Sequence, residues 1–186
     1  MITNFKLKDI KGNRLIIFDL DDTLVRTDAK IKVLNHKTKR TMFELTPEQF
    51  NQFEQEPHHI LNFDDFECPE ILGEGKFIHS IFSKLKYYYK KGVPVSIVTA
   101  RSSSSLVREF FLDNQIDIHP DLVIAINDPS HGYSGNISER KQKAIKDLID
   151  SGYTDLVFFD DNDDNLRLAK DVEGYKDSKI KLIKVD

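Results

Sequence analysis

The chain has 186 residues, of which 39% are hydrophobic and 31% charged, a composition that supports one ordinary globular core with room for a small inserted lobe. Its 27 Lys and Arg against 31 Asp and Glu leave a net charge of −4, so no overall basic excess can hold nucleic acid by electrostatics alone. A single cysteine, Cys68, rules out a disulfide framework and a zinc site built on paired cysteines. The Met1–Lys6 start lacks an apolar segment and no stretch reaches membrane-spanning length, so the expectation is a cytoplasmic protein without a membrane partner.

Residues 2–10 are mixed, and Lys11-Gly12-Asn13 is a turn signal. Arg14 to Phe18 then reads as a fully buried strand of a parallel sheet, and it breaks into Asp19-Leu20-Asp21-Asp22. An acidic turn that merely keeps a strand end soluble is one reading. Ile17, Phe18, Leu20 and Leu24 flank the acids, however, and should hold them near the core. Two carboxylates about 4 Å apart repel by roughly 4 kcal/mol at an effective dielectric of 20, so a shared proton or a bound cation is required.

From 26 to 75 the pattern changes, and this segment is the expected second lobe, a small α/β insert in a core made of 1–25 and 76–186. Lys30–Leu34 and Thr41–Leu45 read as strands joined by a polar hairpin loop. Thr46, Pro47 and Gln49 carry the cap, first-turn proline and capping-box partner of a short helix with Phe50 and Phe53 on its buried face. Asn62–Gly75 reads as loop, Asp64-Asp65 within it as a turn, and His58-His59 and His79 as surface or packing residues.

Lys76–Lys90 is predicted as a helix, with Ile78, Ile81, Phe82, Leu85, Tyr88 and Tyr89 on one face and Gly92 as its stop. The Tyr87-Tyr88-Tyr89 run is expected to pack as a helix flank on the sheet. Val93–Val98 is a second buried strand ending in Thr99-Ala100-Arg101. A helix follows from the Ser102–Ser105 run with Leu106, Val107, Phe110 and Phe111 facing inward. Leu122–Ile126 is a third strand. Ser138 is expected to open a helix facing Ala144, Ile145, Leu148 and Ile149 inward, closed by Gly152. Leu156–Phe159 is a fourth strand running into Asp160-Asp161, then come a helix over about 165–171 and a last strand, Ile180–Val185. Strands alternating with helices predict an α/β fold: a doubly wound, mostly parallel, Rossmann-like sheet.

If the strands are parallel, Asp19, Asp21, Thr99, Arg101, Asp160 and Asp161 converge on one sheet edge. Converging carboxylates call for a hard divalent cation, and oxygen-only ligands favour Mg2+ over zinc. Magnesium with few protein ligands suits a phosphoryl substrate. Lys141, three and four residues before the inward-facing Ala144 and Ile145, is the best second cation, with a solvated lysine at a helix start as the alternative.

These residues resemble the haloacid dehalogenase (HAD) superfamily of phosphohydrolases. Asp19-Leu20-Asp21-Asp22-Thr23 is similar to its D-x-D-x-T motif, Ile97-Val98-Thr99 to its second, Lys141 to its lysine, and Asp160-Asp161 with 162–165 to its acidic motif, in which Asn165 stands where the longer pattern has an acid. The Thr99-Ala100-Arg101 segment and the acidic pair also look like the phosphatase half of phage polynucleotide kinases, small stand-alone relatives of which occur in bacteria and phages. The resemblance implies a HAD-like core with a cap insert and a magnesium-dependent phosphatase. Asp19 would attack phosphorus, Asp21 would act as general acid and base, and Thr99, Lys141 and Arg101 would hold the phosphoryl group. Metal contacts would come from Asp19, the Asp21 carbonyl and Asp161, with Asp160 in support. The expected substrate is a phosphorylated small molecule or nucleotide. Nucleic-acid 3′-phosphate ends are the alternative, with Lys30, Lys32, Lys37, Lys39 and Arg40 as a basic rim, and phosphotransfer to an alcohol a further one.

Overall fold

The structure is a computed structural model, and it describes residues 13–186; Lys11 and Gly12 of the turn signal, and 2–10 before them, lie outside the described residues. The chain divides into two compact units, Thr27–Gly75 forming one and the segments before and after it the other.

The larger unit is built on a five-stranded sheet of β1 (Arg14–Phe18), β7 (Val95–Thr99), β8 (Val123–Ala125), β9 (Asp155–Asp160) and β10 (Lys179–Lys184). Their order is β10-β9-β1-β7-β8 and every pairing is parallel. Helices α3 (His79–Lys90), α4 (Ser104–Asp113), α5 (Ile137–Asp150) and α6 (Asp163–Lys170) flank the sheet, an architecture compatible with a Rossmann-like fold. The three central strands are apolar almost throughout because both of their faces are covered, as parallel sheets require. Phe18 and Phe159 stack across the β1–β9 pair with ring centroids 4.7 Å apart. The chain steps outward from β1 through β7 to β8, then returns to the other side of β1 as β9. That reversal makes β1 and β9 the switch point of the sheet, and ligands of such sheets bind at the carboxyl ends of the strands there.

Short strands β2 (Val25–Arg26) and β6 (Lys76–Phe77) pair antiparallel. Residues 76 and 77 therefore extend rather than begin the predicted helix, and α3 opens at His79. The tyrosine run also differs from its expectation. Tyr88 and Tyr89 are half-buried and the Tyr89 hydroxyl accepts the Asp117 N–H at 3.1 Å, but Tyr87 is 58% exposed. Helix α5 starts one residue before Ser138. Its cap is Asn136, whose side chain accepts from the Glu139 N–H while Glu139 reaches back to the Asn136 N–H. Helix α6 starts at Asp163, two residues ahead of the expected start, and the side chain of its cap, Asn162, accepts the Asp164 and Asn165 N–H groups.

The smaller unit holds a three-stranded antiparallel sheet with β3 (Ile31–Asn35) between β4 (Thr41–Leu45) and β5 (His59–Asn62), plus α1 (Pro47–Asn51) and α2 (Pro69–Gly73). The Thr46–Gln49 capping box forms as its sequence dictates. Helix α1 ends before Phe53, which packs beyond it against Phe43 and the buried His59. The segment read as loop contains a 3-10 turn at Asp64–Glu67 and α2, because Pro69 sits at a first-turn position that tolerates its missing N–H. Asp65 takes the Lys30 N–H at 3.1 Å and the Lys32 ammonium at 2.7 Å, so it fastens β3 rather than binding a metal.

Phe158 is fully buried in β9. Phe158→Ala should cost about 3–5 kcal/mol, seen as a lower urea midpoint with an unchanged slope. In the smaller unit the Lys32 hydrogen bond holds the Asp65 carboxyl below the usual carboxylate range. A depressed folded value stabilises above the ordinary carboxylate pKa and ceases to do so as pH falls through the folded one. Stability of wild type should therefore decline on acidification more steeply than that of Asp65→Asn, measured by denaturation between neutral and acidic pH.

Candidate active site

The carboxyl end of β1 turns sharply. Leu20 accepts the N–H groups of Leu24 at 2.8 Å and Val25 at 3.0 Å, and Asp22 gives its N–H to Val25 at 2.8 Å from a left-handed conformation of φ 60°. Aspartate tolerates that region better than most residues because it has a short polar side chain. Leu20 and Leu24 are fully buried, and they pin the turn so that Asp19 is only 4% exposed. On the neighbouring strand Asp160 is fully buried at the end of β9, and the Asp19 N–H reaches the Phe159 carbonyl at 2.9 Å.

Lys141 joins the two strands. It lies on the inward stripe of α5, 2% exposed, and its ammonium donates to Asp19 Oδ1 at 2.8 Å and Asp160 Oδ2 at 2.7 Å. The solvated-lysine reading is thereby excluded. Burial pushes the ammonium toward losing its proton, but the attraction of Asp160 and Asp19 outweighs it and holds Lys141 charged, above the usual lysine value. Burial drives the Asp19 carboxyl well above the usual range; Lys141 opposes this, while Asp160 and Asp161 add to it. Asp161 is raised too, by burial and then by Asp160.

Oxygens of Asp19, Asp160 and Asp161 all lie within 4.8 Å of one another, the one such acidic group among the described residues. Three carboxylates against one ammonium leave two negative charges uncompensated. A divalent cation would cancel them, and the donors are all oxygen, so the group fits a hard metal ion. Asp160 already accepts from the Asn162 N–H at 2.8 Å and from the Asn165 amide at 2.9 and 3.2 Å, in addition to Lys141. Asn165 is itself fixed by the Ser138 hydroxyl at 2.7 Å. Asp161 is less encumbered: it meets the buried Thr23 hydroxyl at 3.4 Å, which also reaches Asp19 at 3.2 Å.

Asp21 stands apart from this group. Its carboxylate receives Arg101 Nε at 2.9 Å and Nη2 at 2.7 Å, a two-pronged ion pair in which the guanidinium side chain is 1% exposed and the carboxylate 22%. Thr99 is fully buried, and its hydroxyl accepts the Arg101 N–H at 3.4 Å. Thus Asp19, Asp160, Asp161 and Lys141 come together directly, and Asp21, Arg101 and Thr99 form a second linked set. The buttress made by Ser138 was not foreseen. Its only sequence signal was its position three residues before Lys141, which places it on the same helix face.

Removing the buried ammonium by Lys141→Ala should destabilise the chelator-treated protein by about 3–5 kcal/mol, because uncompensated buried charge remains. Asp19→Asn removes one excess negative charge instead, and under the same conditions it should melt no lower than wild type. Thermal denaturation in the presence of a chelator reads both.

Comparison of the chain with protein-family models, with curated proteins and with solved structures returns no match.

Proposed function

We propose that the protein is a magnesium-dependent phosphatase of the HAD type that hydrolyses a phosphomonoester through an aspartyl-phosphate. The observation that carries this reading is the doubly shared Lys141: it places a buried Asp19 oxygen beside a fixed positive charge and two further carboxylates at a sheet edge. Of these carboxylates Asp161 is the direct ligand, since both Asp160 oxygens already accept hydrogen bonds. Asp19, Asp161 and the backbone carbonyl of Asp21 would hold magnesium, which when bound neutralises the excess charge and draws electron density from the phosphoryl oxygens.

An Asp19 oxygen bonds to phosphorus as the ester P–O bond breaks, and Asp21 serves as the general acid that passes a proton to the departing oxygen. A water oxygen then bonds to phosphorus, Asp21 takes its proton, and the bond from Asp19 to phosphorus breaks to release phosphate. Arg101 acts first as the positioning residue for Asp21. Its two-pronged contact fixes where that carboxyl points. Lys141 and Thr99 serve the phosphoryl oxygens. The substrate is a phosphorylated small molecule or nucleotide. Of the lysines expected to form a basic rim on the insert, Lys32 is committed to Asp65, which weakens the nucleic-acid-end alternative based on that hairpin.

Turnover of an aryl phosphate with magnesium tests the reading. Asp19→Asn should abolish it, and Asp21→Asn should lower kcat by about 10²–10⁴-fold. In an acid quench Asp21→Asn should retain phosphate on Asp19, detected by mass spectrometry. Full activity in Asp19→Asn would discard the scheme.

A further inference from the structure

The sequence between Glu74 and Glu109 carries no Asp or Glu but five lysines, in a chain whose net charge is −4. Much of that asymmetry falls on one face of α3. The apolar stripe of the helix, Ile81, Phe82 and Leu85, is buried. At 3.6 residues per turn the opposite face is centred on Tyr87, with Lys84 and Lys91 on one side of it and Lys86 and Lys90 on the other. All four lysines are exposed, and Tyr87 is the most exposed large hydrophobic side chain among the described residues, at 58%.

Among the described residues no carboxylate pairs with any of the four lysines. Three of them lie over rings instead: the ammonium of Lys84 is 5.6 Å from the Phe159 ring, that of Lys86 4.7 Å from the Phe82 ring and that of Lys91 5.9 Å from the Tyr87 ring. The acidic side chain beside Tyr89, Asp117, is already paired with Arg108 at 2.7 Å. The hydroxyl of Tyr89 is engaged in the fold, whereas the Tyr87 ring faces outward.

We propose that this face of α3 binds single-stranded nucleic acid, with the lysines on the phosphates and a base stacked on Tyr87. Several phosphate-pairing cations around one open aromatic ring match that ligand. A membrane surface fits less well, because the helix has already buried its apolar stripe and has none left to insert. The surface goes beyond the phosphatase reading and does not rest on it.

The test is fluorescence anisotropy of the full chain with a labelled oligothymidylate of about fifteen nucleotides bearing no terminal phosphate. Tyr87→Ala should weaken binding about tenfold, and Tyr87→Phe, which keeps the ring, should restore it. Each lysine of the four replaced by Ser should lower the slope of log affinity against log salt by about 0.7. Aryl phosphate turnover should be unchanged in these variants. Equal oligonucleotide affinity in wild type and Tyr87→Ala overturns the proposal, as does α3-dependent binding to phosphatidylserine vesicles without binding to the oligonucleotide. Absence of phosphatase turnover together with Tyr87-dependent oligonucleotide binding would remove the enzymatic reading and leave this surface standing.

Discussion

A single buried ammonium holds the candidate site together. Lys141 can be charged in the interior only because Asp19 and Asp160 share it, and those two carboxylates can be buried only because it is there. The arrangement requires β1 and β9 to be neighbours and α5 to present its inward stripe over their carboxyl ends. The parallel sheet and its order are therefore not a neutral scaffold. They bring residues 122 positions apart within hydrogen-bonding distance. The Ser138–Asn165–Asp160 chain adds a brace that fixes one acceptor so that the ammonium has a defined seat.

Charge is distributed unevenly around that seat. Asp21 and Arg101 neutralise each other in a two-pronged pair, so they add little to the local field. Asp19, Asp160 and Asp161 exceed their one cation, which leaves a site that favours gaining positive charge. The folded protein tolerates this strain because Leu20, Leu24 and the Phe18–Phe159 stack fix the surrounding backbone. A structure optimised only for stability would place apolar side chains here, since buried ion clusters seldom repay their desolvation.

The smaller unit follows a different logic. Its stability rests on an aromatic cluster of Phe43, Phe53 and His59 and on Asp65 fastening Lys30 and Lys32. A lysine that looks available in a basic stretch of sequence is thus consumed inside its own sheet. On α3 the reverse holds: lysines that could be read as a solvated helix face surround an outward-facing ring.

Local signals were legible wherever short-range physics decided the outcome. Continuous apolar runs marked β1, β7 and β9, because a strand covered on both faces has no polar positions, and Thr46, Pro47 and Gln49 marked α1, because a capping box is a contact between near neighbours. The acids at strand ends and the inward placement of Lys141 followed from the same patterns. Strand β5 and helix α2 were not legible, since β5 is defined by its partner β3 and α2 is barely longer than one turn. The fold alone decided that Asp21 would pair with Arg101, 80 residues away, and that Asp160 would be saturated by Lys141, Asn162 and Asn165. Periodicity tells which side chains leave the water, but which groups meet once they have left depends on how distant segments are brought side by side.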